Sequence, residues 1–162
     1  YLTDHYDPRA KVVRLSTDIY NGDSIASVSV AAHECGHAVQ DKEGYFFLRF
    51  RSFLVPIVNF SSKFGYLAVL IGLIFGAMNL AWVGIFLLVA ILLFQLITLP
   101  VEFNASKRGK MFLSKLKVVD QSERSMASSM LMAAAMTYVA SLISTLLELL
   151  RLVLVVMGND RD

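Results

Sequence analysis

His33-Glu34-Cys35-Gly36-His37 is the stretch of this chain where residue type and spacing converge on a chemistry. On an α-helix, residues four apart share a face, so His33 and His37 can offer imidazole nitrogens to one tetrahedral Zn2+. Glu34 lies one step round. From there its carboxylate reaches a metal-bound water rather than the metal, which is where a general base belongs. Ile25, Val28, Ala31, Ala32 and Val39 make the rest of the segment apolar, and Asp23 or Ser24 supplies an N-cap after the Asn21-Gly22 breaker. The competing reading is chance. Against it, the chain has only three histidines and two stand here. Buried imidazoles need partners and a buried carboxylate is costly, so an apolar helix rarely keeps all three without a metal. Cys35, the only cysteine, excludes an intrachain disulfide. It points away from the histidine face and reads as a small buried filler beside Gly36.

The elements that must position this motif belong to a membrane protein. Hydrophobic residues make up 56% of the 162 residues and charged residues 17%, with a mean hydropathy of +0.60. Soluble domains average about 45–50% apolar and about 25% charged. The net charge of +2 says little about partners, and no interleaving of basic and aromatic residues points to nucleic acid. The sequence starts at Tyr1 with neither a methionine nor a signal-peptide pattern, and so reads as part of a longer protein.

The expected architecture is mainly α: a catalytic helix of the zincin type with a short β-strand, plus about three apolar transmembrane or membrane-embedded helices. Residues 1–51 form the part carrying the motif. Asp4-His5-Tyr6-Asp7-Pro8 reads as a turn, Lys11–Ser16 as a strand, and Gly44 closes the connection after the motif helix. Residues 52–101 form a transmembrane hairpin. Its first arm runs from about Ser52 to Met78 with Pro56 and Lys63 inside, and its second, from about Asn79 to Leu99, is uncharged and long enough for a bilayer. Pro100 ends or kinks that arm. Residues 102–125 then start a third-ligand helix and a basic loop, and residues 126–158 form a last transmembrane helix in which Glu148 and Arg151 can pair. Arg9, Lys11, Arg14, Lys42, Arg49 and Arg51 before the hairpin, and Lys107, Arg108, Lys110, Lys115 and Lys117 after it, make both flanks positive. Its Ala77-Met78-Asn79 tip is uncharged. The positive-inside rule places both flanks, and the motif, in the cytoplasm.

A catalytic zinc needs three protein ligands and an open position. Asp41 and Glu43 lie too close behind His37 to fold back, and Glu148 belongs to the far membrane face. Glu102 stands at the end of the second hairpin arm, on the same side as the motif. The hairpin fills the interval and returns the chain to where it left, so Glu102 is the expected ligand and His5 the runner-up. A solvated helix-end carboxylate is the alternative for Glu102.

Leu2-Thr3-Asp4-His5-Tyr6-Asp7-Pro8-Arg9, Val13-Arg14-Leu15-Ser16, Ala31-Ala32-His33-Glu34-Cys35-Gly36-His37-Ala38 and Leu99-Pro100-Val101-Glu102-Phe103-Asn104-Ala105-Ser106 together resemble the YugP-type neutral zinc metallopeptidases of bacteria. The resemblance runs along essentially the whole chain. It implies a multi-pass protein of the bacterial cell membrane, one with a further N-terminal hydrophobic anchor in the family. More distantly, Glu102 and Ala105 are similar to the Glu-x-x-Ala arrangement of HtpX and CAAX-processing membrane metallopeptidases. Those carry an Asp after the Ala as a partner for a zinc histidine. Ser106 stands there here, and a hydroxyl can accept the same imidazole N–H without the charge that raises ligand basicity.

The function expected is hydrolysis of a protein or peptide substrate at the membrane by a gluzincin-like metalloendopeptidase. One Zn2+ per chain is held by His33, His37 and Glu102, and Glu34 serves as general base. For the oxyanion donor, His5 and Tyr6 are candidates with Arg108 behind them, a turn-stabilising role for His5 being equally open. The Lys11–Ser16 strand could hold an extended substrate by main-chain pairing, or simply pack. Two rivals compete. A zinc-binding scaffold without catalysis would have no use for Glu34. A site-2-type intramembrane protease would need a longer apolar run than this motif helix, flanked by Asp23, Ser24, Gln40, Asp41 and Lys42. Nucleic acid is not an expected partner, and oligomeric state is left open.

Overall fold

The computed structural model describes residues 3–161. Tyr1, and Leu2 of the first motif string, lie outside them. The elements are β1 (His5–Asp7), β2 (Val12–Arg14), α1 (Thr17–Asn21), α2 (Ile25–Glu43), α3 (Phe46–Ile74), α4 (Met78–Lys115) and α5 (Gln121–Asp160). The chain is mostly helical, as expected, carries a two-stranded sheet where one short strand was expected, and divides into two compact units. One holds the residues up to Arg49 with Leu99–Thr137, the other Phe50–Thr98 with the residues from Tyr138 onward.

In the first unit, β1 and β2 form an antiparallel hairpin with His5 opposite Arg14 and Tyr6 opposite Val13. The expected turn at Asp4–Pro8 is therefore displaced: His5–Asp7 is strand, and the chain reverses at Pro8–Lys11. The Asp7 carboxylate explains the shift. It accepts the amides of Arg9 and Ala10 at 2.9 and 3.1 Å, so this side chain starts the turn rather than lying inside it, with Pro8 setting the next φ. The motif helix α2 starts at Ser24, whose hydroxyl accepts the Ser27 amide at 3.1 Å. It stops at Gly44, where φ of +71° suits a residue without a Cβ.

The core of this unit joins Ala32 of α2, Leu113 of α4, Val119 of the connection after α4, and Ala127 of α5. It accounts for a second correction. Helix α4 does not end at Pro100 but runs to Lys115, so most of the expected basic loop is helix and only residues 116–120 connect to α5. Pro100 costs one hydrogen bond. Beyond it Val101, Glu102, Ala105, Ser106, Gly109 and Leu113 recur at helical spacing and are all buried, and that burial carries the helix through.

The second unit packs Val69 of α3, Ala81, Ile85 and Leu88 of α4, and Leu149, Leu152 and Val156 of α5 into its own core. Large apolar side chains also cover its outside, Phe60, Leu70, Phe86 and Leu147 among them. Such a surface suits lipid rather than water. Helices α3, α4 and α5 are each long and apolar enough to cross a membrane. Helix α3 starts earlier than expected, at Phe46, because Gly44 ends α2 without a loop. Glu148 and Arg151 pair through two hydrogen bonds of 2.9 and 2.6 Å.

Candidate metal centre

The site lies wholly in the first unit, between α2 and α4. Two close approaches set it. A Cβ on Gly36 would overlap the Ala105 carbonyl, and one on Gly109 would stand 3.0 Å from the backbone of Ala32 and His33. Small residues at both crossings let the helices touch backbone to backbone. The neighbouring positions on the same faces, His33 and His37 on α2 and Glu102 on α4, must then meet.

They do. Glu102 Oε2 lies 2.9 Å from His33 Nε2, and Oε1 lies 3.5 Å from His37 Nε2. The His33 and His37 rings are perpendicular, with centroids 4.7 Å apart. One ligand atom from each of the three residues falls within 4.8 Å of the other two. Glu102 is 3% exposed.

Hydrogen bonds behind the rings aim these atoms. His37 Nδ1 is 2.9 Å from Gln40 Oε1, and the amide orientation is fixed because Gln40 Nε2 donates to the Val101 carbonyl at 2.9 Å and to Asn104 Oδ1 at 3.0 Å. A carbonyl can only accept, so Oε1 faces His37 and its Nδ1 carries the proton. The His37 Nε2 lone pair is left facing Glu102. His33 Nδ1 is 2.9 Å from Ser106 Oγ, which accepts its N–H when Nε2 is the ligating atom. Two imidazole nitrogens and a carboxylate brought this close could hold a metal ion, and they are ligand types that zinc takes.

Glu34 is half-buried, and its carboxyl stays outside that donor cluster. Burial pushes it above the usual carboxylate range. The two imidazoles oppose this, while the charges of Glu102 and Asp4 add to it.

The remaining candidates are placed differently. His5 is exposed on β1, with Nδ1 donating to the Thr3 carbonyl at 2.8 Å. The Tyr6 hydroxyl donates to Asp41 Oδ2 at 2.6 Å, and its pKa is pushed up to about 12 by burial first and then by Asp41. Its proton is thus committed away from the donor cluster. Arg108 ties the two helices together, with Nη1 2.7 Å from Glu43 and Nε donating to Asn104 at 2.7 Å. Cys35 is exposed rather than a buried filler. Gly36 occupies the close approach, and Cys35 is turned a further ~100° round the helix. Sequence reading passed over Gln40, which is 0% exposed. The available signal was its place three residues after His37, on the same helical face.

A family model described as "Putative neutral zinc metallopeptidase" matches residues 1–157. Among curated proteins, the chain is 48% identical over 161 residues to the "Putative membrane protease YugP" of Bacillus subtilis (strain 168), an overlap covering 99% of this chain and 71% of that protein. No solved structure matches.

Proposed function

Since the chain belongs to the family described as putative neutral zinc metallopeptidases, we propose that it is a membrane-bound zinc endopeptidase in which Glu34 is the general base. The observation that carries this reading is the division of labour among four side chains. His33, His37 and Glu102 converge their donor atoms, while the adjacent Glu34 carboxyl stands apart from them. A structural metal site would have no need of that fourth group.

These three residues would hold one zinc ion, and the donor set fits it. When bound, zinc supplies Lewis acidity that polarises a peptide carbonyl and makes water nucleophilic at neutral pH. The chain's own residues do the rest. Glu34 takes the proton of the attacking water on a carboxylate oxygen and passes it to the leaving amine nitrogen. Its raised pKa suits it to the first step, since a more basic carboxylate takes the proton more readily. Gln40 and Ser106 keep the two imidazoles in the ligating tautomer. The β1–β2 hairpin offers strand edges along which an extended substrate could pair. His5 is the candidate oxyanion donor. With its Nδ1 proton on Thr3, it would have to donate through a second proton on Nε2.

The basic flanks of the α3–α4 hairpin support a cytoplasmic site in a bacterial cell membrane. An impermeant thiol reagent added outside intact cells should leave Lys110→Cys unlabelled in a Cys35→Ser background. Labelling there would reverse the topology. The decisive test of the chemistry is Glu34→Gln. It should keep zinc, measured by metal quantitation, and lose at least ~10²-fold in peptide cleavage, the low end for a general base. Cleavage at the wild-type rate would end the proposal.

A further inference from the structure

A cavity of about 410 Å3 opens in the first unit where the end of α4 meets the start of α5. Its lining is of two kinds. Lys107, Lys110 and Arg124 contribute three cations, and Leu113, Val119 and Ala127 contribute an apolar floor. Lys110 donates to Ser128 Oγ across the cavity at 3.4 Å. Among the described residues none of the three cations forms an ion pair, and no acidic side chain lines the cavity. Lys11, Arg14, Arg108 and Arg151, by contrast, all have carboxylate partners.

We propose that this cavity binds an anionic glycerophospholipid, its phosphodiester held by Lys107, Lys110 and Arg124 and its apolar portion lying on Leu113, Val119 and Ala127. Three facts lead to this occupant. Three uncompensated cations in one mouth call for an anion. A wholly apolar floor below them calls for a ligand that is also greasy, which inorganic phosphate is not. And the two helices that build the cavity are both long and apolar enough to cross a membrane, so lipid is the amphiphile always at hand. The site has a reason to matter. Leu113, Val119 and Ala127 are also the residues on which Ala32, next to His33, packs. A lipid seated there would brace the helix that carries the metal ligands.

The test reads binding and stability and needs no peptidase activity, so it stands apart from the reading of the metal centre. The purified chain is placed in nanodiscs of phosphatidylcholine, with or without phosphatidylglycerol. Retained lipid is measured by native mass spectrometry and melting by thermal denaturation. Wild type should retain phosphatidylglycerol preferentially and melt higher with it. Lys107→Ser/Lys110→Ser/Arg124→Ser should lose that preference by about a hundredfold, at about a factor of five per basic residue near an anionic surface. The charge-conserving variant Lys107→Arg/Lys110→Arg/Arg124→Lys should keep it, as should Lys115→Ser/Lys117→Ser, which removes charge outside the cavity. If the serine variant does not fold, cross-linking of photoactivatable phosphatidylglycerol to wild type decides: adducts within residues 107–128 support the site, and adducts elsewhere overturn it. Equal loss in the Lys115/Lys117 variant would reduce the effect to general surface charge. Equal stabilisation by inorganic phosphate or an acidic peptide in phosphatidylcholine would make the cavity a soluble-anion site. Either outcome sinks the proposal.

Discussion

Gln40 holds His37 from behind: its carboxamide oxygen accepts the Nδ1 proton at 2.9 Å, while its nitrogen donates across to the Val101 carbonyl one residue before Glu102. One side chain therefore sets the tautomer of His37 and ties it to the helix that carries Glu102.

Removing that side chain should loosen the metal before it unfolds the protein. Gln40→Leu leaves the His37 N–H and the Val101 carbonyl buried without this partner, at about 1–3 kcal/mol for each such loss. Loss of an orienting hydrogen bond behind a ligand typically costs ~10–100-fold in metal affinity or activity. A zinc-competition titration should show a drop in that range. Gln40→Glu should fall between, since its carboxylate still accepts from His37 but no longer donates to Val101. Unchanged zinc affinity in Gln40→Leu would show that Glu102 and Ser106 suffice to aim the ligands.

The hairpin that lies over α2 is pinned by Tyr6 and Lys11, which meet on Asp41 at 2.6 and 2.5 Å. The Tyr6 phenol has its pKa raised from 10.0 to about 12. A raised folded pKa means the folded state favours the protonated form. The associated stability is complete below pH 10.0 and is lost as pH climbs through about 12. Wild type and Tyr6→Phe should therefore converge in thermal stability across that window, with wild type the more stable below it. The phenolate absorbance present in wild type and absent from Tyr6→Phe should also rise above pH 10.0. Parallel stability curves throughout would mean that Tyr6 is not held as described.

Much of this was legible in the sequence, for identifiable reasons. Two histidines four apart on an apolar helix specify a face, and a hairpin of two long apolar segments specifies that the chain returns, so Glu102 could be placed opposite the motif without coordinates. The length of α4 was not legible. Pro100 carries a strong local breaking signal, and what overrides it is packing of Val101, Ala105 and Gly109 against α2, which no single segment reveals. The β1 strand was hidden for a similar reason. Its residues are polar, and its turn depends on the Asp7 side chain rather than on hydrophobic alternation. Gln40 was visible by spacing but not by type, because an amide near a helix end reads as solvated until a carbonyl is seen to face it.

The third ligand is where the reading has most to lose. Glu102 reaches both imidazoles, whereas His5 is exposed and turned to Thr3. A ligating carboxylate helps hold the ion at all times, but an oxyanion donor acts chiefly when charge develops on the substrate. Glu102→Ala should accordingly cut zinc affinity and peptide cleavage together. His5→Ala should spare affinity and lower turnover alone. Ser106→Ala should lie between them, toward the low end of ~10–100-fold, because a hydroxyl is a weaker partner for the His33 N–H than a carboxylate would be. Metal quantitation alongside cleavage rates separates the three. If His5→Ala strips the zinc while Glu102→Ala retains it, the site is built from three histidines, and Glu102 is a buried partner of two of them instead of a ligand.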